Sequence, residues 1–179
     1  MTSDEDGHRK SERRVVPSPD GSLLGPGEKL DARDGLPHAS FETRRVFDSW
    51  RSIKAGDSLP RFSDWKPIGL ADLLPSIIII DVLRGGEDFR YRTVGAREVE
   101  ARRHDPTGKS VRETYQGEVL DFVLENYRLA CKSHWGILDR SIDISANPRF
   151  VELETLFLPM ADNGRDATHV LVYSHYRES

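Results

Sequence analysis

Six hydroxyl-bearing residues, Tyr91, Thr93, Tyr127, Thr155, Tyr173 and Ser174, stand in or beside apolar segments of this 179-residue chain. An apolar cavity with a few convergent polar groups is the usual composition of a small-molecule site, so these residues are the candidates for lining one. Other chemistry finds less support. His104, His134, His169, His175 and the single Cys131 do not recur at the spacing that metal ligands require, and no metal site is assigned. The stretch Asp105-Pro106-Thr107-Gly108-Lys109-Ser110 lacks the first glycine of a phosphate-cradling loop and follows no buried strand. With no nucleophile beside a base and no paired carboxylates in an evident cleft, no catalytic residue is assigned and the chain is read as non-enzymatic.

The hydrophobic pattern indicates which elements must position these hydroxyls. SIIIIDVL and DFRYRTVG, joined by Arg84-Gly85-Gly86-Glu87, form a β-hairpin whose first strand is expected at the centre of a sheet. Strict alternation would put Phe89, Tyr91 and Thr93 on one face, with Arg90 and Arg92 exposed on the other. Ala96 to His104 has helical composition, and a short helical turn is expected from Val111 to Tyr115. Gln116 to His134 carries the strongest helical pattern, with Leu120, Val123, Leu124, Tyr127, Ala130 and Cys131 on one face, and should lie across the sheet. Three strands follow, Gly136 to Ile144, Arg149 to Pro159 and Ala167 to Tyr176. In the middle one Val151, Leu153, Thr155 and Phe157 make a dry face and Glu152 and Glu154 a wet one.

Before the hairpin, Ser40 is a good helix N-cap, and Glu42 stands in the first turn, where the helix dipole favours a carboxylate. The amphipathic helix that follows, at about 41–54, presents Val46, Phe47, Trp50 and Ile53. This face must either cap the domain or meet a second copy of itself, and a homodimer through these four residues is expected. Pro67 to Pro75 suggests a short helix with Ile68, Leu70, Leu73 and Leu74 plugging one end of the sheet. Residues 1–38 are broken repeatedly by proline and glycine and alternate in charge sign. They are read as a disordered N-terminal tail, and residues 39–179 as a single domain.

Composition narrows the function classes. With 37% hydrophobic and 31% charged residues, no apolar run approaches the roughly 20 residues that span a bilayer, and no signal-peptide core is visible. A cytoplasmic, non-membrane protein is expected, and one cysteine rules out an internal disulfide. The net charge of -4 and the scattered basic residues argue against nucleic acid as a partner, despite the local cluster from His8 to Arg14.

The order hairpin, helices, three strands is accompanied by Trp50, Pro60-Arg61 with Asp64, Leu74-Pro75, Asp81-Val82, Phe89-Arg90-Tyr91-Arg92 with Val94-Gly95, Thr107-Gly108, and Leu158-Pro159. This series resembles the PAS domain superfamily, and within it a family of stand-alone bacterial PAS-domain proteins, over roughly Phe41 to Tyr176. The resemblance implies an α+β fold: a five-stranded antiparallel sheet with helices on one face, preceded by the N-terminal amphipathic helix. It also implies a sensory or regulatory module that binds a small molecule, held between sheet and helices, or a protein partner in signal transduction. Because the sequence stops at Ser179, such a module is expected to act through a signalling partner, through a homodimer or through its own tail.

Haem-binding members would place a histidine inside the long helix, whereas His134 falls at its end. Flavin-binding members would carry a reactive cysteine in an Asn-Cys-Arg-Phe-type motif before that helix, whereas Cys131 lies late within it and suits a buried small hydrophobe. Haem and flavin are both disfavoured, and the cofactor is unknown. A ligand-free protein-interaction or dimerisation domain is one alternative. A small-molecule enzyme of the ketosteroid-isomerase-like cone fold is another, disfavoured by element order.

Overall fold

Residues 16–17, 23–24, 29–140 and 146–178 are described by a computed structural model. Strand β4 (Ile77–Leu83) is pleated, so its successive isoleucines serve two cores. Ile78 and Ile80 pack against Val123, Leu124 and Tyr127 of helix α4 (Gly117–Lys132). Ile77 and Ile79 pack on the opposite side with Val46, Phe47 and Trp50 of helix α1 (Phe41–Ser52). Helices α2 (Ala96–Arg102) and α3 (Val111–Thr114) join α4 on the first face, and α1 covers the second.

The sheet is antiparallel throughout, in the order β3 (Lys29–Asp31), β6 (Ile137–Asp139), β7 (Phe150–Met160), β8 (His169–Glu178), β4, β5 (Asp88–Val94). Five of these strands are the expected ones, and β7 with β8, not β4, forms the centre. The short strands β1 (Val16–Pro17) and β2 (Leu23–Leu24) pair separately with each other. Strand β3 adds a sixth member at the β6 edge and corrects the expected boundary at residue 38. The chain joins the sheet at Lys29, and Ala32, Leu36 and Ala39 are buried because they complete the core beneath α1. Of the expected disordered tail, residues 1–15, 18–22 and 25–28 lie outside the described residues, as do 141–145 of the expected strand Gly136 to Ile144.

Two bulges change which way side chains point. In β5, Ile79 pairs with Thr93 and Ile80 with Tyr91, leaving Arg92 as the extra residue. An extra residue reverses the alternation, so Tyr91 turns into the core and Thr93 out to solvent. In β7, Glu152 pairs with Tyr176 and Glu154 with His175, leaving Leu153 extra. Glu152 and Glu154, two apart, therefore occupy opposite faces, and both are buried. Of the expected wet face, Glu152 is turned to the opposite side of the sheet and Glu154 lies on the face that α1 covers.

Helix α1 is clamped to that face. Ser40 caps it, its hydroxyl accepting from the Thr43 N–H at 3.1 Å. The Glu154 carboxylate accepts from the Ser40 N–H at 3.0 Å and from the Thr43 hydroxyl at 2.8 Å, and the Trp50 indole donates to the Pro159 carbonyl at 3.0 Å. Val46, Phe47 and Trp50 are thus spent on the chain's own sheet, which corrects the expectation that they meet a second copy. Only Ile53, just past the helix end, is left partly exposed. Between Pro67 and Pro75 the expected short helix is replaced by turns, since Gly69 takes a positive φ of 75°. Leu70 and Leu73 still plug the core, whereas Ile68 is 86% exposed. Among the described residues no helix is long and apolar enough to cross a membrane.

Trp50→Ala, which removes both the largest back-face side chain and its hydrogen bond, should cost about 3–5 kcal/mol. Phe41→Ala, at a residue 65% exposed, should cost less than about 0.5 kcal/mol in the same urea titration. Equal losses would contradict the placement of α1.

Candidate functional site

Glu98 and Arg102 lie one turn apart on α2, the spacing of an ordinary solvent-exposed ion pair. Here the pair faces inward. Gly95, at the N-cap of α2, lets the helix start press against the chain before β4, where a Cβ would come within 2.2 Å of the Pro75 carbonyl oxygen. Glu98 is fully buried and Arg102 is 8% exposed. The guanidinium donates to Glu98 Oε2 through Nη2 at 3.1 Å and through Nε at 3.3 Å, and its Nη1 donates to the Tyr115 hydroxyl. The Tyr176 hydroxyl donates to Glu98 Oε1 at 2.9 Å.

The β7 bulge brings a second carboxylate, Glu152, to this side of the sheet, where it accepts from the Thr155 hydroxyl. From α4, Asn126 donates through Nδ2 to Asp139 at 3.0 Å, while its Oδ1 is buried without a hydrogen-bond partner among the described residues. Arg102, Tyr115, Asn126, Tyr127, Glu152 and Thr155 surround a cavity of about 20 Å³, closed on its apolar side by Val123, Phe157 and Val172. That is room for about one water molecule.

Burial in this dry region raises the proton affinity of both carboxylates. Glu98 is pushed up by burial, against the opposing pull of Arg102 and the Tyr176 hydroxyl. Glu152 is pushed up to about 7 by burial and by the neighbouring charge of Glu98, with Arg102 only partly offsetting them. The two titrate as a pair sharing one guanidinium. Burial raises Tyr115, Tyr127 and Tyr176 well above their ordinary range, so they stay neutral. The cavity thus offers a cation, neutral hydroxyls, an unfilled amide oxygen and a carboxyl group that switches between donor and acceptor near neutral pH.

Of the residues singled out from sequence, Tyr127 and Thr155 line this cavity. Tyr91, 1% exposed, packs beside Tyr127 and bears electrostatically on Tyr115, and buried Ser174 favours the charged forms of Glu98 and Glu152. Thr93 is excluded by the β5 bulge. Tyr173 belongs to the other core, beneath α1, because β8 alternates. Glu98, Arg102, Asn126 and Glu152 escaped the sequence reading, since charges at i,i+4 on a helix and on alternate residues of a strand normally mark solvated faces. Arg90 and Arg92 pair at 3.2 and 2.5 Å with Asp81, itself only 8% exposed. Cys131 is partly buried, and burial pushes its thiol up to about 12, far from a reactive thiolate. Among the described residues no group of three or more metal-ligating side chains converges.

A family model described as a PAS domain matches residues 38–172. No curated protein and no solved structure matches the chain.

Because the folded state holds the Glu152 proton more tightly than the unfolded chain does, the stabilising contribution of that proton is present at low pH and fades as pH rises through about 7. Relative to Glu152→Gln, the wild-type protein should lose on the order of 2 to 3 kcal/mol of unfolding free energy between pH 5 and pH 8. A pH-independent difference between the two proteins would show that Glu152 ionises normally.

Proposed function

The chain belongs to the PAS domain family, and we propose that it is a non-enzymatic module whose receiving site is the buried polar cavity between α2, α4 and the sheet. A sensory or regulatory role is general to that family. The observation that carries the cavity reading is a buried acceptor, Asn126 Oδ1, without a hydrogen-bond partner among the described residues, beside a carboxyl group, Glu152, that burial and Glu98 push up to about 7. A fold that keeps unsatisfied polar groups buried gives up stability that an apolar core would supply. Recognition is a reason to retain them.

The charge balance selects the ligand class. When both carboxylates are ionised they exceed Arg102 by one negative charge, so a compact neutral or cationic molecule that donates hydrogen bonds is favoured over an anion. A cavity of about 20 Å³ admits anything larger than water only if Tyr127 or Val123 changes rotamer. Output would pass through β7: Glu152 senses the cavity on one side of the Leu153 bulge, and Glu154 holds the N-cap of α1 on the other. A rearrangement at Glu152 would then loosen α1 and alter the surface offered to a signalling partner.

Native mass spectrometry of the protein purified from its own cells should reveal a non-covalent small molecule that Asn126→Leu and Glu152→Gln each lose, with circular dichroism confirming that the variants fold. An empty wild-type protein would favour a ligand-free interaction domain. A molecule retained by both variants would place the site elsewhere.

A further inference from the structure

A second concavity, distinct from the buried cavity, opens at the turn end of the β4–β5 hairpin. It has a volume of about 770 Å³, within the range of small-molecule sites. Among the described residues its walls carry Arg84, Arg112, Arg128, Lys132, Arg165 and His134 against two acids, Glu87 and Asp166. We propose that this groove binds a phosphorylated small molecule bearing at least two negative charges.

The cations come from separate parts of the chain: the hairpin turn, α3, the C-terminal half of α4 and the β7–β8 turn. Tertiary structure therefore brings them together, in a chain whose overall charge is -4. Arg128, Lys132 and Arg165 are exposed, and their side chains make no hydrogen bond or ion pair among the described residues. Arg128 and Lys132 stand at i,i+4, a like-charge spacing that disfavours the helix unless an anion lies between them. The helix dipole favours Lys132 in the last turn, but it does not reach Arg165 or the hairpin.

The remaining arginines stand beside acids of the hairpin. Arg84 lies 3.7 Å from both Glu87 and Asp88, and Arg112 lies 3.5 Å from Asp88. Arg112 also donates to the Glu87 carbonyl at 2.9 Å, which fixes it in the groove wall, whereas Arg84, 67% exposed, can turn to a ligand at small cost. Arg84 also takes a positive φ of 48°, one of two such non-glycine residues described. Four guanidinium forks suit phosphate oxygens, which they bind in pairs of parallel hydrogen bonds. His134 uses Nδ1 on the Asp57 carbonyl at 3.0 Å, leaving Nε2 available. Val82, Cys131 and Ala167 form an apolar wall for the uncharged part of the molecule.

Isothermal titration of the full chain with inorganic phosphate, pyrophosphate and ATP in 150 mM salt tests the proposal. Pyrophosphate or ATP should bind saturably at one per chain and more tightly than phosphate. Tighter binding of ATP than pyrophosphate would assign the apolar wall to a base or sugar, and equal binding would assign recognition to the phosphates alone. Arg128→Glu with Lys132→Glu should weaken binding at least tenfold. The control pair Arg44→Glu with Arg51→Glu, exposed on α1 away from the groove, should leave it unchanged. Absence of binding at millimolar concentration, equal loss in both double variants, or tighter binding of a single-stranded oligonucleotide than of ATP would overturn it. None of these outcomes bears on the buried cavity, whose residues are untouched.

Discussion

An antiparallel sheet commonly keeps one face in water, and the central strands of this one keep neither face there. Its central strands β7 and β8 are sandwiched between α4 on one side and α1 on the other. A strand buried on both faces has no solvated side on which to put charge. Each carboxylate of β7 must then find buried partners, and the Leu153 bulge distributes the two between the faces. Glu154 goes to the start of α1, where the Ser40 amide, the Thr43 hydroxyl and Arg140, 3.5 Å away, hold its pKa below the ordinary carboxylate range against the cost of its burial. Glu152 goes to the cavity, where burial and the neighbouring charge of Glu98 outweigh the pull of Arg102, and its pKa rises instead.

These two neighbours show the two outcomes open to a buried acid. Where hydrogen-bond donors and a cation converge, the charged form is retained and helps to hold the structure together. Where burial and a like charge outweigh them, the proton is retained and the group becomes responsive to its surroundings. The two behaviours are separated by one residue of backbone, which is why the cavity and the N-terminal helix are mechanically close although they lie on opposite sides of the sheet.

The two concavities have opposite electrostatic character. The internal one is small and sets two carboxyl groups of raised proton affinity against one guanidinium, whereas the open groove is large and cationic. Only α4 lines both: Asn126 and Tyr127 face the cavity, while Arg128 and Lys132 face the groove.

Much of the architecture was legible in the residue pattern. The hairpin, the amphipathic α1 with its Ser40 cap, the long α4 and the succession of strands follow from periodicity, because apolar spacing reports which face of an element is buried. Tyr91, Tyr127 and Thr155 were recognisable as polar groups in apolar runs. What the chain could not reveal alone was the phase of its strands: one extra residue at Arg92 turned Thr93 outward, and one at Leu153 divided Glu152 from Glu154. Nor could it reveal what covers an amphipathic face, so the apolar side of α1 was open to a second copy until the sheet was seen to occupy it. The charged pair Glu98 and Arg102 looked like a solvated one for the same reason. Local sequence sets the periodicity of an element, but which face meets water is decided by the elements packed against it, and the inward turn of α2 arises only when Gly95 meets the Pro75 carbonyl.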